Sequence, residues 1–428
     1  MISSSYLAVL RFSIFILWLL AFPMNGFLLG KTGSEHTLLF FVIPHGLALF
    51  ATRFLINNRL FPVVVNVAIG IVIAGTALFP YVGNWALPLL ALLGVAAAGL
   101  LAKSIGDLSR VSNPPLAGAI CMAGGNLSLL LVMKLPLIPQ AIHLLLALLL
   151  LVPLFSPTPR CGAEEKVSFV GYLPFLFVYQ LVSGVMYGSL MAVYNRYAFL
   201  DGIELLFYVG TAFIGAYLVR KGKDILLVLG ILGGMLSFAL LQIRGGFSVN
   251  LSMFAFQSSA GFIDLFILVL LLTRTDSLRV AGPVFGTVCA GIAGGYIISG
   301  ATGEKVNLVV GSANLILTIA VFIFVFFIRK RGMERGVRPE PEERQQQRPA
   351  GITLSPALRK RLSEQEKAVL DCVLLKKTFR ETAADLSLSE SSVKTYMKRI
   401  YEKTGVTGKE ELLTVLANEG AGAGGKEG

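Results

Sequence analysis

Four residues near the C-terminus, Lys394, Thr395, Lys398 and Arg399, have types and spacing that suit contact with a nucleic acid. Residues four apart share one face of an α-helix, so Lys394 and Lys398 would point the same way. Lysine and arginine on such a face can reach base edges and phosphates from the major groove of DNA. Taken alone, this basic face is more typical of an ordinary solvated helix, so its surroundings must decide.

A different chemistry is indicated at Asp264, a carboxylate deep inside the apolar segment 250–272. An ionised side chain at the centre of a bilayer costs about 2.5–3.5 kcal/mol on insertion scales. Gln257 and Ala260 lie on the same helix face as Asp264. We therefore predict Asp264 and Gln257 as ligand-binding residues. The alternative interpretation is a hydrogen bond between two packed helices.

No residue pattern in the chain is typical of catalysis or of metal binding. Its four cysteines are widely spaced without a C-x-x-C motif, and its three histidines form no cluster with them. Neither a Ser/His/Asp set nor a phosphate-binding loop is present. We therefore expect no enzymatic activity, no cofactor and no metal.

The basic residues lie in a tail that the sequence divides into four short helices. Three Ser/Thr–Glu pairs have the spacing of capping boxes, namely Ser363–Glu366, Thr378–Glu381 and Thr407–Glu410. Ser389 is placed to cap the third helix, and Gly405 to end it. Four capped helices in so short a segment predict a compact all-helical domain, with the second and third in a helix-turn-helix.

The tail resembles the LuxR/NarL-type helix-turn-helix in the order and spacing of its residues. The matching residues are Leu362-Ser363, Glu366, Val369-Leu370, Glu381, Ala383, Leu386, Val393-Lys394, Ile400-Tyr401, Lys403 and Gly405-Val406. Some positions depart from the common pattern: Tyr396 stands where His is common, Thr382 where Ile is common, Phe379 where Asn is common and Thr404 where Leu is common. The departures affect the expected operator sequence more than the fold.

This resemblance implies a DNA-binding domain whose third helix enters the major groove. On that basis Lys394, Thr395 and Lys398 are expected to face bases, while Arg399 and Arg380 lie nearer phosphates. DNA is therefore the expected partner of the tail.

Ser391 and Tyr396 complete the predicted DNA-binding residues. In this family the fourth helix pairs two copies on a palindromic site. We therefore expect a homodimer on DNA, formed through the C-terminal helix.

The rest of the chain has the composition of a membrane protein. Of the 428 residues of the whole chain, 55% are hydrophobic and only 14% are charged. Runs of about 20 apolar residues, the length that crosses a bilayer, number about twelve. They lie near 6–28, 37–52, 62–80, 85–102, 115–133, 137–155, 168–192, 203–219, 225–242, 250–272, 280–300 and 306–328. A polar break at residues 156–166 divides them six and six.

This six-plus-six arrangement resembles the major facilitator superfamily of transporters. The loop after the eighth predicted span, residues 215–223, reads Gly-Ala-Tyr-Leu-Val-Arg-Lys-Gly-Lys and resembles the glycine-and-basic cytoplasmic loop of that family. The corresponding loop after the second span, residues 52–59, is basic but lacks the Gly and Asp of the family. The resemblance therefore covers the architecture more than the motifs.

Basic residues give the membrane part an orientation. They concentrate in the loops that follow even-numbered spans, as at Arg220, Lys221 and Lys223, and continue at residues 329–331 after the last span. Such loops face the cytoplasm. The prediction is a multi-pass protein of the cell inner membrane, in the lipid bilayer, with both termini cytoplasmic.

The predicted fold class is all-α, a polytopic helix bundle of about twelve spans plus a C-terminal four-helix helix-turn-helix domain. The membrane domain is placed at residues 1–330 and the DNA-binding domain at 357–420. Between them, the Pro-, Glu-, Arg- and Gln-rich residues 331–356 predict a flexible charged linker. Residues 421–428 are predicted to be a disordered tail.

Together these features predict a membrane-bound one-component transcription regulator. Its transporter-like domain would bind an unknown small molecule, or respond to membrane state, and control the DNA-binding tail. Two alternatives stay open. One is a secondary transporter with a regulatory tail, and the other is a tail that binds proteins and not DNA.

Overall fold

The computed structural model describes most of the chain as α-helix. It covers residues 4–24, 26–29, 37–156, 169–200, 202–243, 245–302, 306–336, 361–374, 377–386, 388–408 and 411–412. The chain forms two compact units, Met1–Arg329 and Lys330–Gly428. Each unit has its own hydrophobic core within these residues.

The first unit begins with a half built from seven described helices. They are α1 (Ser4–Ala21), α2 (Thr37–Leu55), α3 (Phe61–Leu78), α4 (Ala86–Leu108), α5 (Pro114–Lys134), α6 (Pro139–Leu149) and α7 (Leu151–Leu154). The apolar sequence of α6 continues into α7, so these two together form one span. Pro23 lies two residues after the end of α1, and because proline disfavours the helical conformation of the preceding residue, Phe22, α1 ends earlier than predicted.

The second half of this unit contains six described helices. They are α8 (Leu173–Tyr197), α9 (Glu204–Leu218), α10 (Asp224–Leu241), α11 (Gly246–Leu272), α12 (Ser277–Thr302) and α13 (Val306–Gly336). Within the described residues, each of the twelve predicted spans overlaps a helical segment of the two halves. Among these residues, seven helices are long and apolar enough to cross a membrane, and shorter apolar helices accompany them.

The two halves meet through reciprocal helix pairs. α2, the second span of the first half, packs against α12, the fifth span of the second half. α5, the fifth span of the first half, packs against α9, the second span of the second half, and also against α11. Two six-helix halves related by a pseudo-twofold axis produce such an exchange. The pairing leaves a space between the halves.

The described helices of the second unit are α14 (Glu364–Leu374), α15 (Phe379–Asp385) and α16 (Glu390–Thr404). They enclose an apolar core of Leu362, Val369, Leu370, Val373, Leu374, Ala383, Val393, Met397, Ile400, Val406 and Leu412. Leu388, in the turn between α15 and α16, packs against this core as the sequence indicates. The fourth predicted helix is described only at 411–412, so its dimer surface lies outside the described residues.

The segment expected to be the linker begins differently from the prediction. α13 continues to Gly336, so residues 331–336, which the prediction placed in the linker, are helical. Arg, Met and Glu in this stretch are good helix formers, which lets the last span extend beyond its apolar part. Residues 337–356 and 421–428 lie outside the described part of the chain.

α12 makes its close contacts through glycines on both sides. A Cβ atom at Gly282 would overlap the backbone oxygen of Leu49 in α2, and one at Gly295 would overlap that of Leu181 in α8. A Cβ atom at Gly291 would lie 2.9 Å from the backbone oxygen of Phe177. Small residues let helix backbones approach closely inside a membrane. α12 is therefore packed backbone to backbone against both halves.

We predict that Gly295→Ala destabilises the protein, because its methyl group would push α8 away from α12. Gly300→Ala in the same helix is the matched control, since a Cβ atom there meets nothing within 4 Å. Alanine favours a helix by about 1 kcal/mol over glycine, so the control should be neutral or stabilising. Thermal unfolding of the detergent-solubilised chain measures both. Equal unfolding temperatures would contradict the packing argument.

Candidate functional site

The tail presents its basic residues on one face of α16. Lys394, Thr395, Lys398 and Arg399 are exposed, while Val393, Met397 and Ile400 on the opposite face are buried. The predicted face therefore exists as a continuous surface. The 3.6-residue period of the helix places these basic residues on one side and the buried residues on the other.

Some side chains on this face already have neighbours on the same helix. Nζ of Lys394 lies 3.1 Å from Oε1 of Glu390, one turn earlier, and both groups are well exposed. The guanidinium carbon of Arg399 lies 5.9 Å from the ring centroid of Tyr396. Exposed pairs of this kind contribute little stability, so these groups can be rearranged by a partner at low cost.

Both ends of α16 are fixed by short-range hydrogen bonds. Oγ of Ser389 accepts from the backbone nitrogen of Ser392 at 3.0 Å, which confirms the predicted N-cap. Gly405 ends the helix with φ +72°, in the left-handed region that glycine adopts most readily. Oγ of Ser391, a predicted DNA-binding residue, lies 2.8 Å from Oγ of Ser389.

Arg380, the remaining basic residue of the predicted interface, belongs to α15. Its side chain is outside the described part of the structure. Close to it, Thr382 is fully buried, and its hydroxyl has no hydrogen-bond partner among the described residues. Since related sequences commonly have Ile at this position, a polar group occupies a place that suits an apolar one.

A buried ion pair fastens α14 to α16. Glu366 is only 2% exposed, and its Oε2 accepts from Nζ of Lys403 at 2.6 Å and from the backbone nitrogen of Ser363 at 2.7 Å. The backbone nitrogen of Glu366 in turn donates to Oγ of Ser363 at 3.3 Å, which confirms the first capping box. Glu366 thus caps its own helix and holds the C-terminal end of α16.

The environment of Glu366 lowers its pKa from the ordinary value of 4.5. Burial alone raises the pKa, but hydrogen bonds from Lys403 and from Ser363 outweigh burial and favour the charged form. The ionised carboxylate is therefore the form that stabilises the fold.

The other two capping boxes differ in outcome. Thr378 and Glu381 form theirs as predicted, with a 2.8 Å bond from the Thr378 nitrogen to Oε2 of Glu381. The Thr407–Glu410 box involves Glu410, which lies outside the described residues, and it stays a prediction. The nitrogen of Thr407 donates to Oε2 of Glu411 at 2.8 Å.

In the membrane unit, a cavity of about 350 Å³ lies between the two halves. Both predicted ligand-binding residues, Asp264 and Gln257, line it together with Ala260, all from α11. Residues of α1, α2, α4, α5, α8, α9 and α12 complete its described wall. The structure therefore brings the predicted residues to a space large enough for a small molecule.

Asp264 is held in place by α9. Oδ2 of Asp264 accepts from the hydroxyl of Tyr208 at 2.8 Å. The approach of the two helices depends on Gly261, where a Cβ atom would lie 2.6 Å from the backbone oxygen of Tyr208. The inter-helix hydrogen bond and the cavity position thus both exist, and the two interpretations of Asp264 do not exclude each other.

A second polar cluster was missed by the sequence interpretation. Nη1 of Arg11 in α1 lies 3.2 Å from Oδ2 of Asp107 in α4, and Lys103, only 1% exposed, donates to Asn66 at 2.8 Å and to the backbone oxygen of Leu154 at 2.9 Å. The prediction ended the fourth span before Lys103 and placed it in a loop. α4 instead continues to Leu108, and the four-residue spacing of Lys103 and Asp107 was the available signal.

Comparison with known families identifies the tail. Residues 360–416 match the model of the family described as bacterial regulatory proteins, luxR family. The chain therefore carries a LuxR-type DNA-binding domain at its C-terminal end. No curated protein matches the chain.

Solved structures identify the fold of the membrane unit. The human organic anion transporter MFSD10 (TETRAN) aligns with a TM-score of 0.59 and 13% identity, over 75% of this chain and 98% of that one. The major facilitator superfamily transporter FucP, in its outward conformation, gives 0.52 and 13%, over 74% and 98%. A variant of the E. coli fucose:proton symporter FucP gives 0.51 and 14%, over 77% and 99%.

At these identities the likeness is one of fold. The chain is thus a multi-pass membrane protein in which a bundle with the major facilitator fold is joined to a LuxR-type domain. Neither likeness is to a family of enzymes.

We predict that Glu366→Gln destabilises the tail by about 2 kcal/mol at neutral pH, because the charged hydrogen bond to Lys403 is lost. Glu364→Gln in the same turn is the matched control, since that carboxylate is exposed and pairs with Lys367 at the surface. Urea unfolding of residues 355–419 measures both. A similar loss in the two variants would contradict the role of Glu366.

The same group makes stability depend on pH. Because the pKa of folded Glu366 lies below that of the unfolded chain, its contribution is complete above about pH 4.5 and is lost as the pH falls through the folded pKa. The stability difference between the original chain and Glu366→Gln should therefore shrink in acid. Unfolding curves between pH 7 and pH 3 measure this convergence.

Proposed function

We propose that the chain is a membrane-bound one-component transcription regulator. In this proposal the transporter-like unit binds a small molecule, or responds to membrane state, and thereby controls the DNA-binding tail. The observation that carries it is the combination, in one chain, of a LuxR-type domain and a bundle whose central cavity holds a carboxylate. A DNA reader fused to a ligand cavity needs no separate sensor protein.

The proposed location of the protein is the cell inner membrane, with both termini in the cytoplasm. DNA is available only on that side, and an even number of spans brings the N-terminus to the same side. Arg220, Lys221 and the residues 329–331 then face the anionic inner leaflet of the bilayer, which attracts them.

In this orientation the cavity extends toward the external face. Its wall includes Met24 beyond the end of α1, Leu38 at the start of α2 and Leu205 at the start of α9. These positions lie at the membrane face away from the N-terminus. The Arg11–Asp107 pair, near the start of α1 and the end of α4, lies on the cytoplasmic side. The proposed signal is therefore a molecule that enters from outside.

On DNA, the exposed face of α16 is the proposed reading surface. Lys394, Thr395 and Lys398 would contact base edges, and Arg399 and Arg380 phosphates. The remaining predicted residues, Ser391 and Tyr396, lie beside them on α16. Two copies paired through the C-terminal helix would read the two halves of a palindromic site.

We predict that Lys394→Ala and Lys398→Ala each weaken specific DNA binding by about 1–3 kcal/mol and relax sequence preference, because each removes a base contact. The measurement is capture of genome fragments by the detergent-solubilised full chain at physiological salt. Fluorescence titration of the recovered fragment then gives affinities. A recovered palindrome would also identify the regulated genes.

Lys367→Ala is the matched control for charge. Like Lys394 it pairs with a glutamate one turn away, Glu364 at 2.7 Å, but it lies on α14 outside the proposed face. It should leave sequence preference unchanged. Capture of no specific fragment, with only weak and steeply salt-dependent affinity, would favour a tail that binds proteins.

A secondary transporter with a regulatory tail is the second candidate. It is favoured by the position of the cavity between two halves of the major facilitator fold. The two functions differ in turnover, because a sensor binds its ligand without moving it across the membrane.

Transcription from the recovered promoter separates the candidates. In a regulator, we expect Asp264→Ala to change promoter output while Asp224→Ala, at a second Tyr–Asp pair outside the cavity wall, does not. A reporter gene in cells producing equal amounts of each variant measures this. Unchanged output, combined with ligand flux that requires Asp264, would favour the transporter.

A further inference from the structure

We propose that the cavity ligand is a lipophilic organic cation, bound by Asp264 and by the aromatic wall. This inference rests on the proposed function, since it names the class of molecule that the cavity takes. It follows from the carboxyl group of Asp264, from the residues that line the cavity and from the cavity volume.

Asp264 determines the sign of the ligand charge that the cavity favours. Among the described residues that line the cavity it is the one carboxylate, and no lysine or arginine accompanies it. His45 also lines the wall, but its Nδ1 lies 2.9 Å from the backbone oxygen of Gly94 and is used within the protein. A ligand with a positive group would therefore meet a carboxyl group that no lysine or arginine of the described wall neutralises.

The buried cations Arg11 and Lys103 of the first half do not neutralise this carboxylate. Arg11 pairs with Asp107, and Lys103 is bonded to Asn66 and to a backbone oxygen, all away from the cavity wall. Tyr208 orients the carboxylate through one oxygen, Oδ2. Because a neutral hydroxyl brings no charge, Asp264 can still attract a cation.

The rest of the wall suits the body of such a ligand. Aromatic rings line it from four helices, namely Phe12, Phe15, Tyr179, Phe256, Phe285 and Tyr296. The face of an aromatic ring attracts cations, most strongly where water is excluded. Apolar groups of the ligand are also favoured there, so charge and lipophilicity are both matched.

The size of the cavity limits the ligand to a compact molecule. About 350 Å³ is near the lower end of the range of pockets that hold drug-sized ligands, roughly 300–1,000 Å³. A single quaternary or protonated centre with a few rings fits this volume. A peptide or an oligosaccharide does not.

The test compares two probes of nearly equal size and opposite charge, tetraphenylphosphonium and tetraphenylborate. Calorimetric titration of the full chain in detergent, against matched detergent blanks, should give saturable binding of the phosphonium only. Asp264→Asn should weaken that binding about tenfold or more, since removing one charge in a low-dielectric site costs at least this much.

Two further variants distinguish a specific loss of binding from a general loss of folding. Asp264→Glu keeps the charge and should keep most of the binding. Asp224→Asn is the matched control: Asp224 accepts from Tyr172 at 2.8 Å, as Asp264 does from Tyr208, but it does not line the cavity. Its binding should equal that of the original chain.

Equal binding of both probes, or phosphonium binding unchanged in Asp264→Asn, would overturn the inference. That result would leave the regulator intact if specific DNA capture still depends on Lys394 and Lys398. The reverse case, Asp264-dependent phosphonium binding without specific DNA capture, would support the cation site and contradict the regulator.

Discussion

The absence of water in the bilayer interior constrains the structure of the membrane unit. Each polar group placed there must find its partner within the protein, because none is supplied by solvent. Backbone groups meet this demand by forming helices, and charged side chains by pairing. Arg11 bonds to Asp107, and Lys103 donates to two oxygen acceptors. Asp264 accepts a hydrogen bond from Tyr208 and also lines the cavity.

The tail is not subject to this constraint. Because it is surrounded by water, its charged groups do not need partners within the protein. Its stability depends on a small apolar core and on one buried ion pair, Glu366 with Lys403. The basic face of α16 is thereby supported by the core behind it, while its side chains remain exposed to solvent. The membrane unit is thus stabilised in lipid and the tail in water, and each unit meets the requirements of its own solvent.

Much of this organisation could be predicted from the sequence, because it depends on local patterns. Apolar runs of bilayer length predicted the helices of the membrane unit, and Ser or Thr three residues before Glu predicted two capping boxes that formed as expected. The LuxR-type tail was also recognisable from its motif alone. What could not be predicted depends on contacts between distant residues. The pairing of Arg11 with Asp107 joins residues that only the fold brings together.

The glycine contacts of α12 affect how such a protein can change over evolutionary time. Gly282 and Gly295 fix the spacing of helices through backbone atoms, and a larger side chain there would disturb the whole frame. The cavity wall is built from side chains at other positions, such as Phe285 and Tyr296. Exchanging these alters shape and polarity without moving the helices. One scaffold could thus acquire new signals by a few wall substitutions, while the frame and the attached DNA reader are inherited unchanged.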